Sequence, residues 1–330
     1  MNAEHILTLY QIKGISRKTI HRVLRWKSFC QESQVGLFEL IQANKDEIPR
    51  LRDISRSQIS MASEKARRIM GESCRLGVSI LGFNDPEFPR MLRDINDPPV
   101  LLFAKGNLHS LNTTGVAVIG TREPSPIGAK MAERSGYLFA SNRLTVVSGL
   151  ALGCDTAAHI GCLKAGGVTI AILAHGLDTI YPRKNQELAL RIVDEGGCLL
   201  SEYPIGTRLH RSYLVDRDRL QSGISHGVFV VETAVKGGTM HTVGFALTQQ
   251  RILGCFEHPE AYTMHEKAQG NKLLIEEGKA LPIENDEQMH AFIAALHDYM
   301  QRVNSRDERL LSERKPPEGR QLTLFDDWEG

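Results

Sequence analysis

The sequence contains no run of eighteen apolar residues and no apolar leader behind its polar first residues. Neither a membrane span nor a signal peptide is expected, and the chain reads as cytoplasmic. Its six cysteines, Cys30, Cys74, Cys154, Cys162, Cys198 and Cys255, form no C-x-x-C pair, and several lie in apolar stretches where cysteine packs as a small hydrophobe. Free thiols are expected, with neither disulfides nor a zinc site. A large charge of either sign is also missing. The formal net charge of +1 excludes a uniformly basic nucleic-acid binder, so any such affinity must come from a local patch. There is no Walker motif and no G-x-G-x-x-G, so nucleotide hydrolysis and dinucleotide binding lack their usual fingerprint. No cofactor is expected.

What is present suits a soluble chain of about two domains: 330 residues, 42% hydrophobic and 24% charged. Charge is distributed unevenly, with 14 Lys/Arg against 8 Asp/Glu in residues 1–76. That excess suits either a nucleic-acid surface or a solvated helical face. The same segment has helical spacing, with Ile6, Leu7, Leu9 and Tyr10 before a break at Lys13-Gly14-Ile15-Ser16, and Ile20, Val23 and Leu24 after it. Gly14 reads as a helix stop and Ser16 as an N-cap. The unit resembles a helix-hairpin-helix, whose turn amides can meet a DNA phosphate; a purely structural bundle reads equally well.

Residues 77–112, rich in Asp-Pro and Pro-Pro, read as a connector. From Gly115 onward, short apolar runs alternate with helix-length segments. The runs are Val116–Ile119, Leu144–Val147, Val168–Leu173, Cys198–Leu200, Val228–Val231 and Ile252-Leu253, each expected as a strand buried on both faces. Helices are expected near 127–141, 155–166, 185–195, 217–223 and 239–250. This alternation predicts an α/β fold over 113–285: an extended Rossmann-like, doubly wound, mostly parallel sheet preceded by the small all-α unit. A C-terminal helix is expected from Glu287 to about Val303, within 286–303, and a disordered tail over 304–330.

In such a sheet, ligands bind beyond the carboxyl ends of the strands. The turns there are rich in glycine and polar residues: Gly120-Thr121-Arg122, Ser148-Gly149 to Gly153, Arg183-Lys184-Asn185 after Tyr181-Pro182, and Lys236-Gly237-Gly238-Thr239. Glycines let backbone amides approach an anion, and the following helix N-terminus favours negative charge. Converging on one edge with Arg122, Arg183, Lys184 and Lys236, these turns describe a phosphate-lined groove.

The order and content of these turns resemble the DNA-processing protein A (DprA, or Smf) family. The likeness runs from Phe88-Pro89-Arg90-Met91-Leu92, Asp97-Pro98-Pro99 and Lys105-Gly106-Asn107 to Gly270–Gly278, and is most specific over Ser148–His159 and Gly176–Asn185. It implies an extended Rossmann-like fold, single-stranded DNA in a basic pocket, homodimerisation, and delivery of DNA to a RecA-type recombinase. Arg122 takes the place of the arginine in the family's Gly-Ser-Arg turn, and Arg183 that of a basic residue after Tyr-Pro; both would contact phosphates. The family's Phe-Pro-x-Arg-Asn-Arg segment is Leu214-Val215-Asp216-Arg217-Asp218-Arg219 here. Arg217 and Arg219 are retained as phosphate contacts, while the lost aromatic removes a possible stacking platform for a base. The Ser-Gly-Ser-Leu turn becomes Gly237-Gly238-Thr239-Met240.

Other readings compete at particular residues. Asp155, His159 and His175 suggest acid–base chemistry, but Asp155 is equally placed as a helix-start carboxylate facing open amides. Glu232 at a strand end could orient a ribose or accept backbone hydrogen bonds. His226 and His241 read as packed or surface histidines. The Gly-Gly turn also resembles that of Rossmann-like nucleotide-sensing domains, so an alternative is a nucleotide sensor, or an antitoxin-like partner of a cognate toxin in an anti-phage module. An enzyme such as a nucleoside-phosphate hydrolase ranks last, and no catalytic residue is assigned. In the tail, Gln321-Leu322-Thr323-Leu324-Phe325 resembles the motif by which replication and repair proteins dock on the DNA sliding clamp, with Gln321, Leu322, Leu324 and Phe325 as anchors.

Overall fold

Apolar runs that alternate with helices produce a single nine-stranded sheet in the computed structural model, which describes residues 3–26 and 36–313, with side chains to residue 303. The strands are β1 (Ser79–Gly82), β2 (Leu101–Gly106), β3 (Gly115–Ile119), β4 (Thr145–Ser148), β5 (Thr169–Leu173), β6 (Cys198–Ser201), β7 (Gly227–Val230), β8 (Ile252–Phe256) and β9 (Leu281–Ile283). Their order is β1-β2-β6-β5-β4-β3-β7-β8-β9. From β6 through β9 all neighbours are parallel, and the central strands are buried along their whole length, as strands covered by helices on both faces must be. The chain winds outward from β3 to β6 and then returns to pair β7 with the other side of β3. The strand order therefore reverses at β3/β7, and the carboxyl ends of β3 to β8 share one edge.

The segment 77–112 differs from the expected connector. Its prolines stand outside two strands that extend the sheet, β1 pairing antiparallel with β2 and β2 antiparallel with β6. Val100 to Ala104 are fully buried there, so an apolar run flanked by turn residues went into the core.

The helices preceding the sheet are α1 (Ala3–Gln11), α2 (Arg17–Val23), α3 (Leu37–Ala43) and α4 (Arg56–Arg75). Gly14 sits at φ 89° in the α1–α2 turn, and Ser16 caps α2 by accepting from the Thr19 amide, as the spacing predicts. This unit is all-α, but it has no separate core: Ile6, Leu7 and Ile20 belong to the same apolar cluster as Phe103, Ala171 and Leu199 of the sheet.

After the short α5 (Arg90–Arg93) come α6 (Pro126–Ser141), α7 (Cys154–Lys164), α8 (Gln186–Asp194), α9 (Arg211–Ile224), α10 (Thr239–Thr248), α11 (Gln269–Glu276) and α12 (Asp286–Glu313). Helices α6, α7 and α12 cover one face around Phe139, Phe229 and Phe292; α9, α10 and α11 cover the other around Leu220, Val243 and Leu274. Helix α12 continues past Asn304, where the composition suggested disorder; the Gln321–Phe325 motif lies outside the described residues. No described helix is long and apolar enough to cross a membrane.

Candidate nucleic-acid interface

The turns after β3 and β4 are built against each other. Gly153 adopts φ 81°, and a Cβ there would stand 2.5 Å from the carbonyl oxygens of both Thr121 and Arg122. Only glycine admits that approach. A Cβ on Gly120 would meet Cys154 Sγ at 2.4 Å. Several polar residues of the edge face inward and hold these turns. Ser148 Oγ donates to Val118 O, and Asp155 Oδ2 accepts from the amides of Gly149 and Ala151 at 3.1 and 3.2 Å. Asn185 Nδ2 donates to Leu150 O and Thr156 Oγ1, each at 2.8 Å. The helix-start reading of Asp155 is the one the geometry supports.

Beyond these turns the edge opens into a cavity of about 120 Å³, lined by residues that include Arg122, Gly149, Leu152, Tyr181, Leu214 and Arg217. Arg122 is exposed, as are Tyr181 at 55% and Leu152 at 39%, so the mouth offers a cation together with an aromatic and an aliphatic surface. Arg183 and Lys184 follow Pro182 of the lining directly and are exposed.

The two arginines of the altered segment are both buried, and only Arg217 lies at the cavity. Arg217 is 6% exposed; its Nη1 donates to Gly149 O and Ile172 O at 2.8 and 2.6 Å, and its Nε pairs with Asp218 at 3.1 Å. It forms cavity wall rather than a reaching side chain. Arg219 is 4% exposed and bound to Glu202, so it does not face the cavity. The exposed Lys236, with Gly237, Gly238 and Thr239, leads into α10 and does not line this cavity.

The sequence reading missed Tyr181, Leu152 and Leu209 as site residues. The one signal was an aromatic in a polar edge turn, but its exposure depends on how that turn packs. Leu214, which replaces the family's aromatic, does line the cavity, and Tyr181 supplies aromatic surface to the same space.

The electrostatics favour structural roles for Asp155 and His159, while His175 lines the cavity. Burial pushes Asp155 upward against the opposing charge of Arg217, and pushes Asp218 up to about 6. His159 is pushed down to about 3 by burial and by Arg217, and its Nδ1 pairs with Thr169 Oγ1; His175 Nδ1 pairs with Gly176 O instead. Glu232 accepts from the amide and hydroxyl of Ser125 at the start of α6. His226 Nδ1 accepts from the Gly115 amide, and His241 is exposed. Among the described residues no cluster of three or more His, Cys, Asp or Glu could hold a metal ion.

Comparison with known proteins places this geometry. Residues 79–294 match the family described as DNA recombination-mediator protein A. Protein Smf of Escherichia coli (strain K12) is 37% identical over 218 residues, 64% of this chain and 56% of that protein. The chain spans about half the length of the first curated relatives it matches. Its fold is similar to the X-ray structure of DNA processing protein A from Streptococcus pneumoniae, with a TM-score of 0.71 and 28% identity over 88% of this chain and 98% of that one. It is also similar to DNA processing protein A from Helicobacter pylori, whose structure is described as giving insight into a single-stranded DNA binding mode; there the TM-score is 0.58 with 29% identity, over 67% of this chain and 97% of that one. The family match takes in the whole sheet and every edge turn around the cavity, and on that ground the chain belongs to the DNA recombination-mediator protein A (DprA/Smf) family.

Proposed function

We propose that the chain holds single-stranded DNA in the cavity at the carboxyl edge and presents it to a RecA-type recombinase. The observation that carries this reading is the mouth itself, where exposed Arg122 stands with Tyr181 and Leu152. A phosphate takes the guanidinium, and an unstacked base takes the aromatic and aliphatic surfaces; in a duplex the bases are already stacked and paired. The single-stranded DNA binding mode described for the Helicobacter pylori relative supports it. Gly120, Thr121, Gly149 and Gly153 shape the turns, while Arg183 and Lys184 extend the positive rim. Two chains associated as a homodimer would let one strand cross two cavities, raising affinity without a new kind of contact. The Gln321–Phe325 motif would add a sliding-clamp anchor.

Titration of a fluorescent oligonucleotide tests the reading. Arg122→Ala is expected to weaken binding by about 1.5–3 kcal/mol, and Tyr181→Ala by about 1–3 kcal/mol, with thermal stability unchanged. Arg217→Ala is the contrast: it leaves Asp155 and Asp218 without their buried cation and is expected to lower stability by about 3–5 kcal/mol. Absence of binding at low salt, or unaltered affinity in both the Arg122 and Tyr181 variants, would overturn the assignment.

A further inference from the structure

The cavity accounts for one stretch of the carboxyl edge and leaves the N-terminal hairpin of α1 and α2 without a role. The hairpin is held beside the cavity. Arg17, the first residue of α2, donates from Nη1 to both carboxylate oxygens of Glu202 at 2.8 and 2.9 Å, and from Nη2 to Asp97 at 2.7 Å. Glu202 lies just beyond β6, which neighbours β5, and the end of β5 lines the cavity through Leu173. Arg219 of α9 grips the same carboxylate. Tyr10, near the end of α1, is pushed up to about 12, by burial first and also by the charges of Glu202, Tyr213 and Asp216. The last two belong to α9, whose Leu214 and Arg217 form cavity wall.

Cations line the intervening surface. Lys13 is exposed in the hairpin turn, three residues beyond Tyr10, and Lys18 is exposed next to Arg17. Arg208 and Arg211 are exposed at the start of α9, where His210 caps the helix. None of these four cations pairs with a carboxylate among the described residues. Some surface cations elsewhere are neutralised locally, as in Arg134 with Asp286 and Lys164 with Glu133. Cations with no local carboxylate, running from a nucleic-acid cavity onto a rigidly fixed neighbouring unit, suit a phosphodiester backbone, which brings its negative charge at regular intervals.

We propose that the N-terminal hairpin is a second contact for single-stranded DNA, continuing the track from the cavity across Arg208 and Arg211 to Lys13 and Lys18. The inference rests on the cavity reading above. Because the Arg17 ion pairs with Glu202 and Asp97 hold the hairpin in place, engaging it requires no domain rearrangement, and the second contact forms as an intramolecular step once the cavity is filled.

The test uses the full chain, a Lys13→Gln/Lys18→Gln variant, and fluorescent oligothymidylates of about 6 and about 16 nucleotides, lengths within the range covered by single-stranded binding modules. Wild type should bind the longer strand more tightly. The variant should match wild type on the short strand and bind the long one about tenfold more weakly, with the slope of log affinity against log salt reduced by about 1.4, at about 0.7 per lost contact. Equal affinity of variant and wild type for the long strand would overturn the proposal, and so would an equal loss on both lengths, which would make the hairpin a prop for the cavity. Failure of wild type to bind either strand is a different result, since it overturns the cavity reading itself.

Discussion

His159 lies sealed inside α7, and its surroundings assign its tautomer. Thr169 Oγ1 gives its one hydrogen to Val146 O, so it accepts from His159 Nδ1–H at 2.7 Å, and Nε2 keeps its lone pair with no partner among the described residues. The ring is neutral, with its pKa pushed down to about 3 by burial and by Arg217. A group depressed in the folded state contributes stability that is complete above its unfolded pKa, near 6.5, and is lost as pH falls toward 3. Between pH 7 and pH 5 this one histidine should cost about 2 kcal/mol. Urea unfolding of wild type and His159→Leu at both pH values checks it: the variant should lose about 2 kcal/mol less over that interval, and an identical pH response would refute the assignment. The residue type alone said little here, because a catalytic histidine and a sealed one look the same until the partner of each nitrogen is known. Asp155 was similarly ambiguous until two backbone amides were found on its carboxylate.

Helices α6 and α7 approach through glycine. A Cβ on Gly161 would stand 1.9 Å from Glu133 O, and one on Gly136 would stand 2.2 Å from Ala158 O. Intrinsic helix propensity favours alanine over glycine by about 1 kcal/mol, but here the added methyl meets backbone that has nowhere to go. Gly161→Ala is therefore expected to destabilise by about 1–3 kcal/mol. Gly244, exposed on α10 with nothing within 4 Å of where a Cβ would stand, is the control and should stabilise by roughly 0.5–1 kcal/mol on the same change. Thermal unfolding of the two variants decides it; shifts of the same sign would show that the helix contact is not the cause. At this scale the central strands and their helices were legible, because a continuous apolar run of strand length is a local signal. Strands β1 and β2 were not, because flanking prolines mark turns whether or not the residues between them pair.

The chain as a whole is close to electrically neutral, so DNA affinity has to arise from where its cations are placed. The exposed cations of the carboxyl edge and the hairpin form a surface that one strand can follow, and a homodimer would place two such surfaces on one assembly. Light scattering at micromolar concentration is expected to return twice the mass of the chain, and a monomer mass throughout that range would remove the avidity argument. The core that joins the N-terminal helices to β2, β5 and β6 also implies that the two units unfold together, since Ile20 and Phe103 belong to one apolar cluster.

By itself the sequence determined the six central strands, their winding and the edge that carries the glycine turns, because buried strands, helix caps and tight turns are each specified by residues a few positions apart. Tertiary structure decided which cations reach solvent. Arg122, Arg217 and Arg219 are chemically equivalent along the chain, yet Gly149 O and Ile172 O draw Arg217 into the cavity wall, and Glu202 holds Arg219 away from it. Burial of a charge depends on partners that folding brings from distant parts of the chain, and no local pattern encodes them.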